Sequence, residues 1–328
     1  MSIIKSPKQL ELEIIKRMPT NRKRGLDLAW SNANEFISLK KGYPIMIAGE
    51  AGVGKTELLI DIILNAIIQH QFKVAWLSPE MGTPIEIQEQ LIEKLSNGKV
   101  LESGKENSLS VKEVIQINDY LNQYIRIIDP TEGWRETTKG LTMNVENLFR
   151  QIQNEEQVIG AKFDAIVIDP FNELEWDTSN IMNSVKSELD ALIWWTKKHN
   201  YISFLTNHVN HGAQLTYKAK NGNNYFYSPP ATKERWAYGE QWARKGYQMI
   251  LVYKQLNAMI DDLASDGDGF ALHSQSNFYN MRDIYVQKTK PKGVGAVGKF
   301  QLFYDRKVQR YYNIDSLGIK QGIKYPTL

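Results

Sequence analysis

The chain has no cysteine. Disulfides are therefore excluded, as is any zinc ribbon or finger built on thiolates, while a reducing compartment is permitted. Long apolar runs are missing too, since no stretch approaches the ~20 residues that a membrane helix needs. The first residues, MSIIKSPKQLELEIIKRM, have neither the apolar core nor the small-residue cleavage site of a secretion signal. A cytoplasmic protein without membrane contact is the expectation. The formal net charge is only +3, too little by itself to argue for nucleic acid. Neither an internal repeat nor a break in composition marks a second domain. The 328 residues, 42% of them hydrophobic, are accordingly read as one large folded unit with a sizeable core.

What is present begins with an uneven charge distribution. Seven basic residues precede Gly25, against Glu11 and Glu13. Within that arm QLELEIIKRM spaces Leu10, Ile14 and Ile15 along one face of a short helix, which Pro19 ends. Residues 1–24 are read as a basic arm or linker helix, either solvated or packed on a neighbouring subunit or on the chain's own core. Residues 25–315 are read as the main domain and 316–328 as a C-terminal tail.

Gly49 to Thr56 spells GEAGVGKT and meets every specified position of the phosphate-cradling loop G-x-x-x-x-G-K-[ST]. YPIMIA before it reads as a buried strand, and ELLIDIILNAIIQH after it as a helix apolar on most faces. Strand, glycine-rich loop and helix together aim backbone N–H groups and a helix N-terminus at a polyphosphate. Gly49, Glu50, Ala51, Gly52, Val53, Gly54, Lys55 and Thr56 are thus expected to line a nucleoside triphosphate. Lys55 would reach the β- and γ-phosphates, and the Thr56 hydroxyl would hold Mg²⁺.

From Gly42 on, apolar runs alternate with helical patterns, as in a mostly parallel sheet with helices on both faces. Strands are expected at 72–78, 124–129, 163–169 and 201–208. Helices are expected at 84–95, 111–123 and 145–160, and at 180–199 with Ser179 as its cap. Beyond Val209 a Gly/Asn-rich loop runs to Lys233. It is followed by short strands at 247–253, 282–288 and 299–304, the last of them reading as hairpins that extend the sheet.

Three further segments carry chemistry. DAIVIDP ends an apolar run in Asp169, and a carboxylate at the C-terminal end of a strand beside a phosphate loop is where Mg²⁺ is held. WLSPEM puts Glu80 just after a strand, either to polarise the water that attacks the γ-phosphate or merely to complement a helix N-terminus. LTNH ends a buried strand in His208, either a sensor of the γ-phosphate or a histidine satisfied within the fold.

Taken together, GEAGVGKT, WLSPEM, IVIDPFNEL and LTNH resemble the RecA-like ATPase domain of the DnaB-type ring helicases, closest to the Twinkle-like and phage primase–helicase branch. AYGEQWARKGYQMILVYK and YVQKTKPKGVGAVGKFQLFYDRKVQRYY resemble later segments of that domain, so the likeness covers roughly residues 25 to 313. It implies a P-loop ATPase that uses ATP and Mg²⁺, with Glu80 as general base, Asp169 as magnesium ligand and His208 as γ-phosphate sensor. It also implies a homo-oligomeric ring of six, single-stranded DNA as partner, 5'-3' movement, and a separate primase or loader. Lys288 and Lys290 fall on the K-x-R pair that reaches the next subunit's nucleotide. Here Lys290 replaces the usual arginine, a point charge in place of a planar fork, and Lys292 and Arg306 are alternatives.

Other motifs carry less. Gly293–Gly298 spells G-x-G-x-x-G, but a strand and no helix follows it, which favours a hairpin turn over a dinucleotide site. Asp261, Asp262, Asp266 and Asp268 do not fit the spacing of a calcium loop and read as a solvated acidic loop. Trp194 and Trp195 read as packing residues. For DNA, Lys218 and Lys220 lie among Tyr217, Tyr225, Phe226 and Tyr227, a mixture that suits a single strand or an ordinary surface loop. Residues 172–183 are a second candidate. A replicative DNA helicase motor is the leading reading. Its rivals are a DNA-packaging or protein-remodelling ATPase of the same fold, and a nucleotide-gated loader or switch with little turnover.

Overall fold

The computed structural model describes residues 6–17, 24–81, 83–129, 143–174, 178–210, 212, 214–265, 280–314 and 320–326. Helix α1 (Pro7–Arg17) precedes strand β1 (Ile45–Gly49), helix α2 (Lys55–His70), β2 (Val74–Leu77), α3 (Pro84–Leu95), α4 (Val111–Asn122) and β3 (Ile125–Ile128). There follow α5 (Val145–Ile159), β4 (Ala165–Ile168), α6 (Ile181–His199) and β5 (Ile202–His208). The remainder is β6 (Leu215–Lys218), β7 (Asn224–Tyr227), α7 (Gly239–Lys245), β8 (Gln248–Tyr253), α8 (Asn257–Ser265), β9 (Met281–Lys288), β10 (Gly298–Asp305), β11 (Arg310–Ile314) and β12 (Lys320–Gln321).

Among the described residues ten strands form one sheet in the order β12-β11-β10-β9-β8-β1-β5-β4-β2-β3. From β8 to β3 neighbours run parallel, and from β8 to β12 they alternate in direction. The parallel strands are apolar on both faces because helices cover both. Ile45 and Ile47 of β1 join the core that also holds Leu58 and Ile62 of α2 and Leu91 of α3, whereas Met46 and Ala48 join Leu148 of α5, Leu189 of α6 and Trp242 of α7. The expected α/β architecture, with its mostly parallel sheet and C-terminal antiparallel extension, is the one observed.

Local chemistry sets the boundaries. Helix α3 starts with a capping box, Thr83 with Glu86, and Pro84 at its first turn. The N-cap of α6 is Asn180, whose side chain accepts from the Asn183 N–H at 3.4 Å, so the cap lies one residue beyond the expected Ser179. The segment 209–233, read from sequence as loop, contains the hairpin β6–β7, turned at Asn221-Gly222 with Gly222 at φ 86°. That dipeptide between alternating residues is a hairpin signal in its own right. The glycine-rich 293–298 segment lies between antiparallel β9 and β10, as expected of a hairpin connection.

Residues 320–326, expected as a tail, instead extend the sheet through β12. The Tyr325 hydroxyl approaches Asp61 Oδ1 at 3.5 Å, and the Arg310 guanidinium lies 3.3 Å from the Tyr325 ring centroid. The N-terminal side of the domain crosses the same edge: Trp30 Nε1 donates to Tyr311 O at 2.9 Å and Asn32 Nδ2 to Gln301 O at 2.8 Å. Because Tyr325 is half-buried, Tyr325→Ala should cost about 2 kcal/mol and lower the melting temperature by about 4 °C. An unchanged melting curve by circular dichroism would detach this segment from the core.

Candidate functional site

The site is assembled by strand register. In the parallel pair β1–β5, Gly49 lies opposite His208, and in the pair β4–β5, Ile168 lies opposite Leu205. The residue after β4, Asp169, therefore falls beside Thr206. Glu80 follows β2 by three residues. One edge of the sheet thus gathers the phosphate loop, Glu80, Asp169 and His208 on the carboxyl ends of neighbouring strands.

The loop itself needs its glycines. Gly54 has φ 97°, and a Cβ there would stand 2.6 Å from the Tyr311 hydroxyl. A Cβ on Gly49 would stand 2.7 Å from the Val252 carbonyl oxygen. Lys55 is 8% exposed and its Nζ donates to the carbonyls of Gly49 at 3.1 Å and Glu50 at 2.9 Å. Burial pushes its pKa below the usual lysine range, while Asp169, Glu80 and Glu50 pull the other way.

Lys55 Nζ also lies 3.4 Å from His208 Nδ1. An ammonium can only donate, so in that contact Nδ1 is the acceptor, and the other ring nitrogen is Nε2. That nitrogen faces Glu80 Oε2 at 3.7 Å. Glu80 is more than half exposed, as a group that meets solvent water should be. The cap of α3 is supplied by Thr83 and Glu86.

Asp169 is 4% exposed, and burial raises its pKa against the pull of the Thr206 and Thr56 hydroxyls. Thr206 donates to Oδ1, and Ser78 Oγ donates to the Asp169 carbonyl at 2.8 Å. Its Oδ2 is buried with no hydrogen-bond partner among the described residues. A buried, unpartnered carboxylate oxygen beside the Thr56 hydroxyl fits a hard divalent cation held with oxygen ligands, so the residues present suit Mg²⁺. Thr206 lies in the LTNH motif but its role there was not legible, because only pairing with β4 turns it onto Asp169.

On the β8 side of the loop a cleft of about 590 Å³ is lined by Glu50–Val53 together with Tyr225, Tyr227, Tyr253 and Lys254. Arg282 Nε donates to Val53 O at 2.8 Å, and Arg306, in the β10–β11 turn, lies on this same edge. Arg306 thus lies at the same end of the sheet as the chain's own phosphate loop. Arg282 lies in no recognisable motif, and Tyr311, although within the segment YVQKTKPKGVGAVGKFQLFYDRKVQRYY, has nothing local that points to the phosphate loop.

The remaining expected residues lie elsewhere. Strand β9 returns antiparallel, so Lys288 pairs with Met249 at the start of β8, at the edge of the sheet opposite the loop. Lys288 Nζ donates to Ala243 O and, at 3.2 Å, to Arg244 O, which end α7; burial and the neighbouring Lys290 push its pKa down to about 8. Lys290 is exposed. Lys218 is exposed on β6, whereas Lys220 is turned to α8, its N–H donating to Asp262 Oδ2 at 2.9 Å and its Nζ to Asp262 O at 3.0 Å. Asp261 and Asp262 thus belong to a helix and not to a solvated loop, while Asp266 and Asp268 lie outside the described residues. Trp195 packs on Phe149, but Trp194 is 51% exposed with Lys198 over its ring. Of residues 172–183, positions 175–177 lie outside the described residues.

No family profile and no characterised protein sequence matches the chain. Its structure is similar to a solved ATPase domain, with a TM-score of 0.67 and 13% identity over 95% of this chain and 100% of that one. It is also similar to a DnaB-like replicative helicase solved for its interactions with primase, with a TM-score of 0.64 and 13% identity over 95% of this chain and 68% of that one. At such identity the likeness establishes the RecA-like fold. Among the described residues no helix is long and apolar enough to cross a membrane.

Lys55→Ala should leave the fold in place while removing the cation expected to face a polyphosphate. Calorimetric titration with ATP should show affinity falling at least tenfold at unchanged melting temperature; parent-like affinity would remove Lys55 from the site.

Proposed function

We propose that this chain is an ATP-hydrolysing motor that assembles as a homo-oligomeric ring, six subunits by resemblance, and moves on single-stranded DNA as a replicative helicase. The observation that carries the reading is the convergence of Lys55, Thr56, Glu80, Asp169 and His208 on one sheet edge around a phosphate loop. Backbone N–H groups of Gly49–Thr56 and the α2 N-terminus bind the triphosphate. When bound, Mg²⁺ neutralises charge on the β- and γ-phosphates, with Thr56 and Asp169 as its protein ligands. Glu80 takes the proton of the attacking water as its oxygen bonds to the γ-phosphorus and the bond to the β-phosphate oxygen breaks, leaving ADP and phosphate. Lys55 stabilises the charge that develops, and His208 links it to Glu80 and, through the end of β5, to the hairpin β6–β7.

The ring reading is supported by where Lys290 and α1 lie. Lys290 stands at the edge opposite its phosphate loop, so it serves a nucleotide only if a neighbour presents one. Leu10, Leu12 and Ile15 of α1 are exposed, and Leu12 and Ile15, three residues apart, share an apolar face suited to an adjacent subunit. Lys218 is the basic residue of the hairpin best placed for a DNA backbone. A primase or loader is the expected further partner, 5'-3' the expected polarity, and the cytoplasm of a bacterium or of a phage-infected cell the expected compartment.

Glu80→Gln keeps its size but accepts no proton, so ATP should bind while turnover falls ~10²-fold or more. Turnover per bound ATP at the parent rate would move the base elsewhere. The motor reading predicts ATPase stimulated by single-stranded DNA in a complex of ring mass, and displacement of a strand from a forked duplex. Stimulation without displacement would favour a DNA-packaging motor, and negligible turnover a loader or switch. Lys290→Ala and Lys55→Ala subunits, each inactive alone, should regain activity when mixed. If mixed rings form and remain inactive, Lys290 does not act across the interface.

A further inference from the structure

Beside the phosphate loop lies a buried charge cluster that the proposed mechanism does not use. Lys94, in the last turn of α3, is fully buried. Its ammonium reaches Glu57 Oε2 at 2.8 Å, Asp61 Oδ1 at 3.1 Å and the Gln309 carbonyl, so its three donors are committed. Tyr304 of β10 donates its hydroxyl to the same Glu57 oxygen at 3.0 Å. Asp61 accepts from the Tyr311 N–H at 2.7 Å, and the Tyr311 hydroxyl stands 3.5 Å from the Gly54 carbonyl.

The position of Glu57 makes this cluster consequential. It directly follows Thr56 in the first turn of α2, the turn whose N–H groups receive the triphosphate. An acidic side chain there complements the positive end of the helix, which is the same end an anionic ligand needs. An uncompensated carboxylate within one helical turn of the phosphates would compete for that end and repel the ligand, well inside the screening distance of physiological salt.

We propose that Lys94 is a positioning residue for the nucleotide: with Tyr304 it holds the Glu57 carboxylate neutralised and turned toward α3 and the β10–β11 hairpin, leaving the α2 N-terminus open to the polyphosphate. This rests on the reading of Gly49–Thr56 as a nucleotide site. It also makes the hairpin, through Tyr304, a contributor to nucleotide affinity.

The test uses the full chain and MgATP. Lys94→Met should weaken binding about tenfold, the effect of one uncompensated charge ~8 Å away at intermediate dielectric, and the loss should shrink as salt is raised. The maximal turnover at saturating ATP should stay within about twofold of the parent, since Lys94 touches no reacting group. Lys94→Met combined with Glu57→Gln should regain parent affinity, which a purely structural role for Lys94 would not produce. Should Lys94→Met not fold, the milder cycle decides: Tyr304→Phe should weaken binding about threefold, and should have no effect once Glu57→Gln is present. Failure of Glu57→Gln to rescue either folded variant, or unchanged affinity in Lys94→Met or Tyr304→Phe, overturns the proposal alone. A parent chain that binds no MgATP overturns the nucleotide reading and the proposal with it.

Discussion

The parallel pairing of β1 with β5, and of β5 with β4, is the constraint on which the site depends. Parallel strands end on the same edge, so residues far apart in sequence are brought together by register alone. Gly49 faces His208, and Thr206 reaches Asp169, only because each pair is aligned as it is. The register is held from both sides. A slip of one residue would exchange Ile45 and Ile47 with Met46 and Ala48 between two separate cores. The buried faces of the sheet thereby hold the chemistry of its edge.

The antiparallel extension has the opposite effect. By turning back, β9 carries Lys288 and Lys290 to the edge away from the phosphate loop, while β10 returns Arg306 to it. Two basic groups that look equivalent along the chain are thus separated by the length of a strand. Lys288 is further committed to the carbonyls that end α7, which leaves Lys290 as the exposed cation of the pair.

Buried charge is costly unless it is paired, and the chain concentrates it next to the phosphate loop. Asp169 keeps one carboxylate oxygen unpartnered among the described residues, Lys55 sits on two carbonyls, and Lys94 gathers Glu57 and Asp61. Such arrangements contribute little net stability. What they supply is preorganisation, with charges already desolvated and oriented where a polyanion and a cation would enter.

Much of this was legible in the sequence because it is local. The GEAGVGKT glycines, the apolar runs of the buried strands and the carboxylate after IVI each depend on a few adjacent residues, so the fold class was readable, and with it the candidates that the sheet gathers, the phosphate loop, Asp169, Glu80 and His208. The hairpin β6–β7 was legible at Asn221-Gly222 but was masked by its polar surroundings. What only the tertiary structure decided is where side chains meet across the sheet. Thr206 turns onto Asp169, Lys220 onto Asp262, Tyr325 onto Arg310, and Lys94 onto Glu57. No window of sequence contains these pairs. The Thr206–Asp169 pair is set by the parallel order of β4 and β5, the Lys220–Asp262 pair by the packing of the β6–β7 hairpin on α8, and the other two by the return of the C-terminal strands to the phosphate-loop side.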